Sequence, residues 1–154
     1  MAPFHVHFRQ EMQQSIRYLH HCLVSLSEKR TSRAATSASQ AYGAFRGCML
    51  GLNGHVGIEE YAVFPQFQKK FPSVDIRFLY QDHQKLHDKE AKTKTTLKMV
   101  SDSLKENAGE EVSSDIVLDA LQELLDFDKD LMAHLGEEEE FIVPMTLSTE
   151  RLVY

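Results

Sequence analysis

The chain has 154 residues, 42% hydrophobic and 26% charged, with a formal net charge of −6. That length suits one domain spanning residues 1–154 with a sizeable core, and the acidic balance excludes the basic face that nucleic-acid binding needs. No run approaches the roughly 18 apolar residues of a membrane span, and the opening MAPFHVHFRQEM lacks the basic flank and apolar stretch of a secretory signal.

The spacing predicts four helices and no strands. Pro3 suits a first helical position, and from about Phe4 to Lys29 apolar residues recur at Phe8, Met12, Ile16, Leu19, Leu23 and Leu26. The small, polar stretch RTSRAATSAS is a turn leading into a second helix, which runs to Phe64 and is stopped by Pro65. QFQKKFPSVD then reads as a linker. A third helix, from about Ile76 to Glu106, stops near Gly109. Ser114 or Asp115 caps a fourth, about Ile116 to Val143, which Pro144 ends. Short connections between rods this long make an all-α, up-down-up-down four-helix bundle. The two cysteines, Cys22 and Cys48, are too few for a disulfide framework. They read as free thiols in a reducing compartment, hence a cytoplasmic or nuclear protein that is not secreted.

Eight histidines are unusual in so short a chain, and two of them open related phrases. HVGIEEYAVFP runs from His55 to Pro65, and HLGEEEEFIVP from His134 to Pro144. Both place Gly two residues after His, Glu four and five after, and Pro ten after. Mid-helix glycine costs about 1 kcal/mol against alanine, so Gly57 and Gly136 are expected to admit a close neighbour. His and Glu four apart lie about 40° apart on a helix, one turn above each other, and can serve one metal centre. His55 and Glu59 continue the stripe Ala41, Phe45, Cys48, Leu52, which ends at Ala62. His134 and Glu138 continue Leu124, Phe127, Leu131, which ends at Phe141 and Ile142. Both pairs therefore face the interior, where carboxylates are rare unless paired or ligating. Glu60, Glu137 and Glu140 fall mostly outside these stripes and are expected to be solvated.

In the third helix, His83 and His87 are again four apart, on a stripe with Ile76, Leu79, Leu86 and Leu97, and read as two further ligands. Glu90, on the same stripe, is either an acceptor for an imidazole N–H or a buried salt-bridge partner. The first helix offers His5, His7, His20 and His21. Ligands must share one level of the bundle. From His55 back to His5 or His7 is nearly as far along the chain as from His134 back to His83 or His87. His20 and His21 lie several turns off that level. Facing favours His5, in phase with Phe8, Met12 and Leu19, with His7 second; a longer first helix would restore His20. His7 with Glu11 reads as a surface ion pair.

H-x-x-x-E-E followed by a Pro-terminated helix, given twice, resembles the hemerythrin and H-H-E cation-binding family over nearly the whole chain. The H-x-x-x-H of the third helix is similar to that of true hemerythrins. The resemblance implies a hemerythrin-like bundle around two non-haem iron ions, carboxylate- and oxo/hydroxo-bridged. His5, His55, His83, His87 and His134 would be terminal imidazole ligands, with Glu59 and Glu138 as bridging carboxylates. Oxygen-binding hemerythrins usually place the last carboxylate five residues after His, where this chain has Glu139; facing and the internal repeat favour Glu138. HLGEEEEFIVPM and the first residues are also similar to the iron-sensing hemerythrin domain of an F-box ubiquitin-ligase subunit. No F-box or leucine-rich repeat occurs in this sequence, so that role is not carried over.

Imidazole plus carboxylate without cysteine suits iron, manganese or zinc, and so many ligands exceed what one tetrahedral zinc takes. The E-x-x-H, H-E-x-x-H, P-loop and nucleophile-elbow patterns are missing. The expected function is binding of dioxygen or another small diatomic, or sensing of iron or oxygen, without turnover. A di-iron enzyme acting on peroxide or nitric oxide ranks behind it, with only Tyr18, Tyr42, Tyr61 and Tyr80 as redox or proton donors. A metal-free helical interaction module ranks last. The sequence names no protein partner.

Overall fold

Apolar side chains recurring every three or four residues give each long segment one buried stripe, and four such stripes close on one another. The computed structural model describes residues 3–107 and 113–147. Its helices are α1 (Pro3–Ser27), α2 (Thr31–Ile58), α3 (Phe64–Lys70), α4 (Arg77–Glu106) and α5 (Asp115–Leu147). A π-helical turn, Glu59–Val63, joins α2 to α3. No strand occurs among the described residues, and no described helix is long and apolar enough to cross a membrane. α1 packs beside α2 and α5, and α4 packs beside the same two, so the rods form the four-helix bundle that the periodicity predicts.

The main core runs along the bundle axis through Phe8, Met12 and Leu19 of α1, Phe45 of α2, Leu97 of α4 and Phe127 of α5. α1 buries Cys22 and Ser25 where Leu23 and Leu26 were expected; both leucines are half-buried. Cys22 and Cys48 are free thiols, and burial pushes their pKa up to about 11 and about 12, which keeps them protonated and unreactive. A smaller cluster, Phe64, Phe67, Ile76, Leu79 and Ile142, closes one end.

Neither proline stops its helix. In an α-helix the Pro65 ring would meet the carbonyl one turn back. The π turn relieves this by widening the backbone: the N–H of Phe64 donates to the Glu59 carbonyl, five residues back, and Pro65 then sits in the first turn of α3. The wider turn also shifts the buried stripe by one position. A continuous α-helix would turn Ala62 and Gln66 inward after Glu59; instead Phe64 and Phe67 are buried. The stretch expected as a linker is thus largely α3. Pro144 lies inside α5, on an exposed stretch with Glu140, so water can satisfy the carbonyl it leaves unbonded. Gly109 falls outside the described residues. α5 begins at Asp115, with the Ser114 carbonyl accepting from Val117 and Leu118.

The glycine expectation fails. A Cβ on Gly57 or Gly136 would meet nothing within 4 Å; the crowded glycine is Gly51, where it would come 3.3 Å from the Phe8 ring. α1 ends two residues before Lys29, whose φ of 58° is the left-handed conformation of a helix stop. Around it the N–H of Arg30 donates to Ser25 and that of Lys29 to Leu26. A side chain in this conformation costs ~1–2 kcal/mol, which glycine avoids at some expense in chain entropy. Lys29→Gly should therefore raise the unfolding free energy by up to about 1 kcal/mol, seen as a higher urea midpoint at unchanged slope. A lower midpoint would contradict this account of the α1 stop.

Candidate metal centre

The α2 and α5 stripes each end in a His-Glu pair one turn apart. Packing α1 and α4 against them brings two more histidines to the same level. His5 lies near the start of α1, His55 in the last turn of α2, Glu59 at the start of the π turn, His83 in α4, and His134 and Glu138 in α5. All six are buried.

Their contacts sort into two halves. Glu59 turns Oε1 to His55 Nε2 at 2.8 Å and Oε2 to His83 Nε2 at 3.3 Å. Glu138 turns Oε2 to His5 Nε2 at 3.2 Å and Oε1 to His134 Nε2 at 2.8 Å, with His83 Nε2 at 3.6 Å. Each carboxylate thus points one oxygen at the His5–His55 half and the other at the His83–His134 half. Donor atoms of His5, His55, Glu59 and Glu138 lie within 4.8 Å of one another, and so do those of Glu59, His83, His134 and Glu138. Two four-donor groups therefore share both carboxylates, and each group could hold a metal ion.

The donor atoms fit such cations because nothing else satisfies them. Nine buried side-chain N and O atoms among the described residues make no hydrogen bond, and six of them belong here: Nε2 of His55, His83 and His134, Oε2 of Glu59, and both oxygens of Glu138. Buried polar atoms are rarely left so, and lone pairs converging on one another need a cation or protons between them.

The outward nitrogens are held by carboxylates. Nδ1 of His5 lies 3.0 Å from Glu139 Oε1, Nδ1 of His83 2.8 Å from Glu60 Oε1, and Nδ1 of His134 3.4 Å from Asp82 Oδ2. A carboxylate only accepts, so each Nδ1–H donates outward, and Nε2 is the nitrogen turned to the centre. Arg9 donates to both oxygens of Glu139, at 2.9 and 3.3 Å. Rings enclose the rest. Phe4 and Phe8 lie 5.6 and 5.5 Å from the His55 ring, and Phe64 stacks on His83 at 5.3 Å.

Charge follows this geometry. Burial lowers the His83 pKa, but the carboxylates of Glu138, Glu59 and Glu60 around the ring outweigh it and raise it to about 10. His5 is raised in the same way: burial opposes, while Glu138 and Glu139 prevail. Burial would raise the Glu138 carboxyl, yet the imidazoles of His134, His5 and His83 hold it well below the usual carboxylate range.

Among the histidines expected as ligands, His87 stays outside. Its side chain is 70% exposed, with Nδ1 3.9 Å from Glu90 Oε2. The reason is register. The α4 stripe is Leu79, His83, Leu86, Glu90, Thr93 and Leu97, so the step after His83 is three residues to Leu86, which turns His87 off the seam. His7 pairs with Glu11 on the surface, and His20 and His21 are exposed. Glu139 faces Arg9 and His5, outside the shared pocket. Glu60 is exposed, as expected, and is also the partner of His83. Arg9 and Asp82 had no signal in the sequence. Glu60 and Glu139 had one, as the second Glu of each H-x-x-x-E-E.

A comparison with sequence families matches residues 4–146 to the hemerythrin HHE cation-binding domain. Comparisons with curated proteins and with solved structures give no match. The family match and the buried His/Glu groups able to hold metal agree over nearly the whole chain: it belongs to the hemerythrin HHE cation-binding family.

Proposed function

We propose that the chain holds two non-haem iron ions and binds dioxygen, or another small diatomic, at coordination positions its side chains leave open. The supporting observation is the donor count. Each half offers four donors, two imidazoles and an oxygen from each shared carboxylate. Four donors would saturate a tetrahedral zinc, whereas iron takes a larger coordination number and keeps open positions. Bound iron would supply the electrons and the open positions. The chain's part is to fix the imidazoles through Glu139, Glu60 and Asp82 and to exclude water with the buried Phe8 and Phe64. Binding is favoured over turnover because the tyrosines offer little: Tyr61 is 90% exposed, and Tyr80 packs edge-on against Phe64. Two buried free thiols suit a reducing compartment, cytoplasmic or nuclear. Anaerobic reduction of the iron-loaded protein followed by air should give a visible charge-transfer band that disappears on deoxygenation. Full iron loading with no spectral response to dioxygen or nitric oxide refutes gas binding.

A second reading, iron-responsive stability, is favoured by the six unpartnered donor atoms. Ligand binding stabilises by ~4 kcal/mol at a thousandfold excess over Kd, and each kcal/mol moves the midpoint by ~2–4 °C at this chain length. Chelation should therefore lower Tm by about 10 °C, and an unchanged Tm would rule this reading out.

Metal uptake should also expel protons. With its pKa raised to about 10, His83 is protonated at neutral pH in the metal-free chain, and His5 is shifted the same way. A cation must displace the His83 proton, so affinity should climb as pH rises from 6 to 9. Titration in weak buffer at pH 7 should release about one proton, from His83. Release of none would contradict the protonation described above.

A further inference from the structure

Beside the centre, between α2 and α4, lies a cavity of about 180 Å³. Its inner wall includes His83 and Glu60; towards solvent it is lined by Asn53, Glu90 and the exposed His87. No lysine or arginine lines it; Arg46 and Lys94 line the neighbouring groove, which Asn53 and Glu90 also border. Glu90 is the informative member. Its side chain is 91% buried, being 9% exposed, yet its bonding is weak for a buried carboxylate. Oε1 accepts from the neutral Asn53 amide at 3.1 Å, and Oε2 has His87 Nδ1 only at 3.9 Å, beyond hydrogen-bond reach. A buried carboxylate normally has a cationic partner. This one faces a cavity containing a second carboxylate and two imidazoles.

Those donors suit a first-row divalent cation, and their negative field attracts one. They also form a staircase. His87 lies one turn of α4, about 6 Å, from His83, whose other nitrogen faces the centre. Glu60 stands between solvent and His83. Elsewhere around the centre, Phe4 and Phe8 pack against His55 and Phe64 against His83, while Asp82 and the exposed Glu137 flank His134.

We propose that this cavity is a loading path for divalent metal cations, with His87 and Glu90 as transient ligands at its mouth and Glu60 as the next carboxylate inward, beside His83. The inference rests on the two-cation reading of the centre but concerns the rate of filling, whereas that reading concerns what is finally held. Cobalt(II) is the probe, because its visible spectrum reports binding without turnover. Metal-free protein is mixed with limiting cobalt, and the rate, final stoichiometry and final spectrum are recorded. His87→Ala with Glu90→Gln should slow uptake by about tenfold or more, because the focusing field and the first ligands are lost. The final stoichiometry and spectrum should match wild type. His7→Ala, an exposed histidine on α1, should load at the wild-type rate. Each single variant should show an intermediate rate, which protects the test should the double variant fold poorly. Wild-type rates in the double variant overturn the path. A lower final stoichiometry also overturns it, by making His87 and Glu90 resident ligands. No cobalt uptake by wild type overturns the centre itself.

Discussion

Two carboxylates buried at the level of four imidazoles constrain everything else in this molecule. Moving one ion out of water costs several kcal/mol even after relaxation, so Glu59 and Glu138 cannot stand uncompensated among phenylalanines. A proton on His83, whose pKa is raised to about 10, compensates part of this in the metal-free chain, and the neighbouring carboxylates raise His5 in the same direction. The compensation is poor, because six donor atoms still make no hydrogen bond. Two cations would neutralise the carboxylates and use the imidazole lone pairs together. Metal and protons thus compete for the same atoms, with pH setting the balance between them.

The backbone bends to this requirement at one place. Glu59 must follow His55 by four residues on an α-helical surface, yet Pro65 comes too soon for an undisturbed helix. The π turn that begins at Glu59 resolves the conflict. It keeps the ligand pair on α-helical spacing and re-aims the following residues, so that Phe64 covers His83 and Phe67 joins the end cluster. A proline that reads as a stop therefore places part of the roof over the centre.

Much of the fold was legible because a four-helix bundle is written in three- and four-residue spacings that survive tertiary packing. The doubled His-Glu pair was legible for the same reason: inward-facing charge on an apolar stripe has few explanations. Position within the stripe was harder. His87 shares the spacing of a ligand but not the phase, and only the step from His83 to Leu86 betrays it. Gly57 and Gly136 recur in the repeat, yet nothing approaches them, and nothing in the structure explains why both phrases keep them. Asp82 and Arg9 act across helices, and periodicity within one helix carries no such information.

The doubled Glu-Glu has a role distinct from that of the doubled His-Glu. In each phrase the first Glu enters the shared pocket, while the second leaves its own helix to hold an imidazole on another. Glu60, in the π turn, ties to His83 of α4; Glu139 of α5 ties to His5 of α1; Asp82 of α4 completes the series to His134 of α5. Only the α1–α2 side lacks a carboxylate link of this kind among the described contacts, and there Phe4 and Phe8 pack on His55. A ring of contacts thus passes through all four rods around the donors. Each imidazole is oriented by a helix other than its own, or by rings from one. Displacing any one rod misaligns donors contributed by its neighbours, so the centre is held as a single unit.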